Sequence, residues 1–146
     1  MHQSGYSTLR HVLFRLDPEI AHNISICLLA AAPKLKPVRR WLTDLFDYND
    51  SRLATSVFGL RFVNPVGVAA GYDKNAIAID GLGTLGVGHV EVGTITPKAQ
   101  YGNQRPRIFR LPEDNALINC MGFPNHGMEK VAPRLETARN IRLGLN

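Results

Sequence analysis

The chain has 146 residues, 45% of them hydrophobic and 20% charged, and its 17 Lys and Arg against 12 Asp and Glu give a formal net charge of +5. That composition excludes a disordered tail, a collagen-like repeat and a coiled coil, and the length suits one domain. The same length excludes a complete (β/α)8 barrel, which needs roughly 250 residues.

The basic excess is concentrated at the N-terminus, where Arg10, Arg15, Lys34, Lys36, Arg39 and Arg40 stand against only Asp17 and Glu19 within residues 1–40. Such a segment suits a solvated surface, a nucleic acid or an anionic membrane. It lacks interleaved aromatic platforms, so no nucleic-acid partner is expected. Cys27 and Cys120 lie far apart, without Cys-x-x-Cys spacing or nearby histidines, which argues against a disulfide framework and a zinc site. No apolar run reaches the roughly 18–20 residues of a membrane span, so any membrane contact is expected to be peripheral.

Leu9, Val12, Leu13 and Leu16 follow the spacing of an amphipathic helix. Asp17-Pro18-Glu19 then reads as an N-cap, a first-turn proline and a first-turn acid, opening a second helix through Ala31 with Ile20, Ile24, Cys27, Leu28 and Ala31 along one face. Pro33 is expected to stop it. The basic connector Lys34 to Arg40 leads to a third helix from Trp41 to Phe46. This helical hairpin is either a cap on a domain or a membrane-surface element with apolar faces toward lipid and basic residues toward anionic headgroups.

Thr55 to Phe62 is expected to form a hairpin turning at Gly59. Pro65 to Gly71 reads as a strand buried on both faces, followed by polar Asp73, Lys74 and Asn75 and a helical segment from Ala76 to Leu85. His89 to Thr94 is a second strand. A long Pro-, Gly- and Arg-rich connection runs from Ile95 to Asn119, Met128 to Arg142 reads as a helix, and Arg142 to Asn146 as a third strand. The alternation predicts parallel βαβ units. Gly81, Gly83 and Gly86 match G-x-G-x-x-G, but they close a helix and precede a strand, so a helix terminus accounts for them better than a dinucleotide fingerprint.

Asp73 with Lys74, Thr94 and Asn146 end three successive strands, the edge at which α/β folds bind ligands. A lysine there offers three donors and a positive charge for a carboxylate or an electron-rich ring. The segment Asn119-Cys120-Met121-Gly122-Phe123 adds an amide beside a glycine that permits close backbone approach. No base lies next to Cys120, so it is not assigned as a nucleophile.

Four blocks, Asn64 to Asn75, Val90 to Pro97, Gly102 to Pro112 and Leu117 to Phe123, together with Leu13 to His22, resemble the quinone-dependent class of dihydroorotate dehydrogenase. The resemblance runs from about Ser7 to Asn146. It implies an α/β fold with a helical, membrane-associated quinone-tunnel extension over residues 1–50. Residues 51–146 would be the first strands of an FMN-binding (β/α)8 barrel, stopping after about the third barrel strand. It further implies oxidation of dihydroorotate to orotate, with electrons passed to a membrane quinone, in pyrimidine biosynthesis.

By the same resemblance, Ala70, Gly71, Tyr72, Asp73, Lys74, Thr94 and Asn146 contact FMN, while Lys74 and Asn119 to Phe123 line the substrate pocket. The proton-abstracting base is expected beyond Asn146, and no metal is implied. Cys120 and Pro124 depart from the family, which commonly has arginine and asparagine there. The implied location is peripheral, on the cytoplasmic face of a bacterial inner membrane or alternatively on the mitochondrial inner membrane, with contact through residues 1–40. The chain alone is expected to be inactive and to hold FMN weakly; the alternative is a noncatalytic product retaining only the membrane-surface hairpin.

Overall fold

The computed structural model describes residues 10–137 and 141–146. Residues 10–14 are helical, so the first expected helix is met in part; Leu9 lies outside the described residues. Helix α1 spans Pro18–Ala31, and the Asp17 carboxylate accepts from the amides of Glu19 (2.9 Å) and Ile20 (3.1 Å), satisfying donors that a helix start leaves unpaired. Pro33 follows the end of the α-helix at Ala31, as expected. It sits inside a 3-10 turn, Ala32–Lys34, and helix α2 follows at Lys36–Phe46, five residues earlier than the sequence suggests. Pro37 lies in the first turn of α2, where its missing amide costs nothing, so the basic connector becomes helical.

The apolar stripe of α1 faces outward. Ile20, Ile24 and Leu28 are exposed, whereas the buried positions are Glu19, Ala21 and Ile26. Strands β1 (Thr55–Val57) and β2 (Leu60–Phe62) pair antiparallel with Val57 opposite Leu60. Phe58 and Gly59 both take positive φ, as a two-residue hairpin turn requires.

The central sheet has the order β3-β4-β7, all parallel, from Gly67–Val68, His89–Val92 and Arg142–Leu145. Helix α3 (Ile79–Gly83) connects β3 to β4, and α4 (Met128–Thr137) precedes β7. Thus Met128 to Arg142 is not one helix: residues 138–140 lie outside the described residues, and Arg142 already belongs to a strand. Pro133 lies inside α4. Gly81, Gly83 and Gly86 occupy α3 and the turn after it, directly before β4. A Cβ on Gly81 would meet the Leu29 carbonyl, so glycine here lets α1 lie against α3.

The core is one-sided. Val90 and Val92 of β4 are fully buried against Ala76, Ile79, Leu82 and Val131, with Leu29, Leu85, Val87, Ile141 and Leu143 around them. Burying each such valine contributes about 1.5–3 kcal/mol. By strand alternation His89 and Glu91 point to the opposite face and remain half-buried. The strand expected to be buried on both faces, Pro65 to Gly71, is shorter and more open: among the described residues β3 bonds to β4 alone, and Val66 is exposed.

The long connection is also not structureless. It holds a hairpin of β5 (Ile108–Leu111) and β6 (Ala116–Asn119), closed by a turn in which Asn115 has φ of 48°.

Candidate functional site

Backbone hydrogen bonds draw the three parallel strand exits together. The Gly71 amide donates to the Gly93 carbonyl at 2.8 Å, and the Gly93 amide to the Asp73 carbonyl at 3.3 Å. Asn146 donates its amide to Val92 and accepts from the amide of Ile95. The Thr94 hydroxyl donates to Asn146 Oδ1 at 2.6 Å, so the polar residues ending the second and third strands are in direct contact. Gly93 makes this junction possible: its φ is 122°, and a Cβ there would strike the Asn146 carbonyl.

Lys74 lies beside this rim. Its ammonium donates to Met121 Sδ at 3.2 Å, bringing the residue after the first strand to the Asn119 to Phe123 segment. Burial pushes the Lys74 ammonium below its ordinary pKa; the positive charge of Arg107 adds to this, and Glu19 partly opposes it. The 119–123 segment is shaped from both sides. The Cys120 amide donates to the Arg107 carbonyl at 2.9 Å, the Cys120 carbonyl accepts from Asn103 Nδ2 at 2.7 Å, and the Met121 carbonyl accepts from the Asn103 amide. Next to it, the buried Asn125 side chain ties Phe123, Thr96 and Gly127 together.

Two side chains expected at the ligand are used elsewhere. The Asp73 carboxylate is fully buried and accepts from the amides of Asn75, Ile77 (2.9 Å) and Ala78 (2.7 Å), organising the turn into α3. Only the backbone of Asp73 reaches the rim. Tyr72 turns toward the hairpin: its hydroxyl shares a 2.8 Å hydrogen bond with Ser25 Oγ, and its ring meets His22 edge to face at 5.1 Å. Burial, aided by the positive charge of Lys74, holds the His22 imidazole below its usual pKa.

The sequence reading missed the clamp that fastens α1 to this site. Glu19, read there only as a helix-start acid, is buried and receives Arg107 through Nε (3.2 Å) and a short bond from a terminal guanidinium nitrogen, with Arg105 at 2.9 Å. Arg107 is itself buried, and its other terminal nitrogen donates to the carbonyls of Tyr101 (2.7 Å) and Asn103 (2.9 Å). The hydrogen bond from Arg107 holds the Glu19 carboxyl below the usual carboxylate range against the opposing effect of burial. No local pattern marks this pairing, because Arg107 lies 88 residues from Glu19.

Open space remains above the strand exits. A Cβ on Gly71, whose φ is 102°, would touch nothing within 4 Å. Small Ala70 precedes Gly71, and the Lys74 ammonium and the Thr94–Asn146 pair edge the strand exits with donors and acceptors. That chemistry fits a planar heterocycle carrying carbonyl and imide groups. Among the described residues there is no group of three His, Cys, Asp or Glu side chains that could hold a metal ion.

Residues 52–144 match the family model of dihydroorotate dehydrogenase. A protein of Roseiflexus sp. (strain RS-1) named dihydroorotate dehydrogenase (quinone) is 48% identical over 145 residues, covering 98% of this chain and 40% of that protein. One of the same name from Pseudomonas aeruginosa (strain LESB58) is 49% identical over 146 residues, covering 97% and 41%. A crystal structure of DHODH from Eimeria tenella in complex with ferulenol superposes with a TM-score of 0.75 at 42% identity, over 89% of this chain and 35% of that one. The α/β fold is therefore that of the dihydroorotate dehydrogenase barrels, and the chain spans about 40% of the length of the curated relatives it matches. The chain belongs to the dihydroorotate dehydrogenase family.

Proposed function

We propose that the chain contributes the flavin- and substrate-facing strand exits of a quinone-dependent dihydroorotate dehydrogenase, acting in pyrimidine biosynthesis. The observation that carries this reading is the meeting of Lys74 with Met121, which brings the expected cofactor segment and the expected substrate segment into one site. FMN would lie on the ledge of Ala70, Gly71 and the backbone of Tyr72 and Asp73, edged by Lys74, Thr94 and Asn146. When bound, the flavin supplies the two-electron redox chemistry between dihydroorotate and the quinone.

The chain's own residues bind and orient. The Lys74 ammonium stabilises negative charge on the substrate carboxylate or the flavin ring, and its partial burial strengthens that interaction. Asn119 offers an amide to the pyrimidine edge, while Cys120, Met121, Gly122 and Phe123 wall the pocket. No residue of this chain is assigned as the proton-abstracting base. The alternating exposed and buried faces of α1 support a further part of the reading: residues 1–50 form a quinone-side extension and residues 51–146 the start of the barrel.

Exposed Ile20, Ile24, Leu28 and Leu35, beside Arg39 and Arg40, would lie on a membrane surface through residues 1–40, on the cytoplasmic face of a bacterial inner membrane. No helix of the described residues is long and apolar enough to cross a membrane. The reading is tested with a chimera joining this chain to the remainder of the P. aeruginosa relative. Orotate should perturb its flavin absorption spectrum, and Asn119→Ala should weaken that binding about tenfold; a spectrum indifferent to orotate would reject the assignment.

A further inference from the structure

The basic corner of the hairpin takes no part in the strand-exit site. It opens instead on a cavity of about 390 Å³ between the hairpin and the outer side of the sheet layer, where Lys34, Arg39 and Thr43 face α3 and Arg134 of α4. Three cations line this cavity against a single carboxylate, Asp80. Lys34 and Arg39 enter no ion pair among the described residues. Arg40, next in sequence to Arg39, is outside the cavity and sits 3.8 Å from Asp44. Of these two adjacent arginines, only Arg39 turns toward the cavity.

Arg134 is held in place. One of its terminal nitrogens donates to the Asn75 carbonyl at 2.7 Å and lies 3.3 Å from His126 Nδ1, so the guanidinium is oriented rather than swinging in solvent. Lys34 and Arg39 flank Leu35, and the Arg39 amide bonds the Leu35 carbonyl, which fixes the spacing of the two side-chain origins. Ala30, Pro33, Ile77 and Ile141 add an apolar wall.

We propose that this cavity is a binding site for a phosphate-bearing anion, gripped by Lys34, Arg39 and Arg134, with the organic part of the ligand against the apolar wall. The oriented guanidinium of Arg134, a second guanidinium from Arg39 and the ammonium of Lys34 match a tetrahedral oxyanion carrying more than one charge. The volume exceeds what a bare ion fills and accommodates an esterified phosphate. Two sources share that chemistry, an anionic phospholipid headgroup and a soluble phosphate ester. In its lipid form the site rests on the membrane-surface reading above; in its soluble form it does not.

The 146-residue chain is tested in two arms. In the first, inorganic phosphate is titrated against chloride at equal ionic strength while amide NMR shifts are followed. In the second, the chain is sedimented with phosphatidylcholine vesicles with and without phosphatidylglycerol. Lys34→Ala and Arg39→Ala, both at exposed positions, should each weaken binding about fivefold in whichever arm binds, while Arg52→Ala, at an exposed arginine outside the cavity and paired with Asp50, leaves it unchanged. Binding to vesicles that contain phosphatidylglycerol identifies the headgroup. Binding to phosphate with none to vesicles supports the soluble ester and removes the membrane reading. An equal loss for Arg52→Ala would reduce the site to diffuse charge and overturn the proposal, as would binding in neither arm.

Discussion

Lys74 Nζ donates to Met121 Sδ across 3.2 Å, joining the exit of β3 to the segment after β6, 47 residues later in the chain. A thioether is a weak acceptor, so this contact leaves the ammonium ready to exchange it for a carboxylate or a carbonyl oxygen.

Lys74 should titrate below the ordinary lysine value. Burial disfavours its charged form and Arg107 adds to the effect, whereas Glu19 opposes it. Glu19→Gln removes the opposing charge and should move the midpoint further down. Methyl NMR of the reductively methylated protein reads both midpoints; an ordinary value in the wild type would contradict the burial seen here.

Acid should loosen the hairpin from the sheet layer. The Glu19 carboxyl is depressed below its usual 4.5 chiefly by the hydrogen bond from Arg107. A depressed carboxylate contributes stability that is full above the unfolded-state value and is lost as pH falls through the folded one. Denaturant melts should therefore show a loss below about pH 4.5 that Glu19→Gln flattens. Arg107→Ala leaves the buried Glu19 carboxylate with only the more exposed Arg105 and should cost about 3 kcal/mol at neutral pH.

The His22, Ser25 and Tyr72 contact predicts a second pH effect of known sign. His22 is held below 6.5 mainly by burial, so the unfolded chain takes up the proton first and stability falls as pH drops below that value. An NMR titration of His22 measures this directly. Tyr72→Phe keeps the ring but removes the phenol bond to Ser25, and should cost about 1 kcal/mol in the same melts.

Asp73→Ala should be costly although the carboxylate never faces the open ledge. Three amides, those of Asn75, Ile77 and Ala78, lose their acceptor, for a loss of about 3 kcal/mol in thermal melts, with Asp73→Asn intermediate. A neutral result would place the organisation of that turn elsewhere.

Local signals carried much of this architecture. The Asp17-Pro18 helix start, the turn at Gly59 and the three parallel strands follow from capping, positive φ and alternation, each read within a few residues. The meeting of Thr94 with Asn146 was legible because strand ends of parallel units share one edge. What stayed hidden depends on distant partners. The β5–β6 hairpin lies in a Pro- and Arg-rich stretch that lacks a clean period, and nothing local marks Glu19 as the partner of Arg107, 88 residues away. The orientations of Asp73 and Tyr72 likewise depend on which neighbour reaches them first, so their roles were drawn more simply than the structure has them.

The most direct measurement is orotate formation by the chimera of residues 1–146 with the remainder of the P. aeruginosa relative, assayed with and without added quinone. The account predicts turnover that requires quinone and falls about 10²–10³-fold in Lys74→Ala. A folded, flavin-loaded chimera that turns over equally well without the Lys74 ammonium would contradict it.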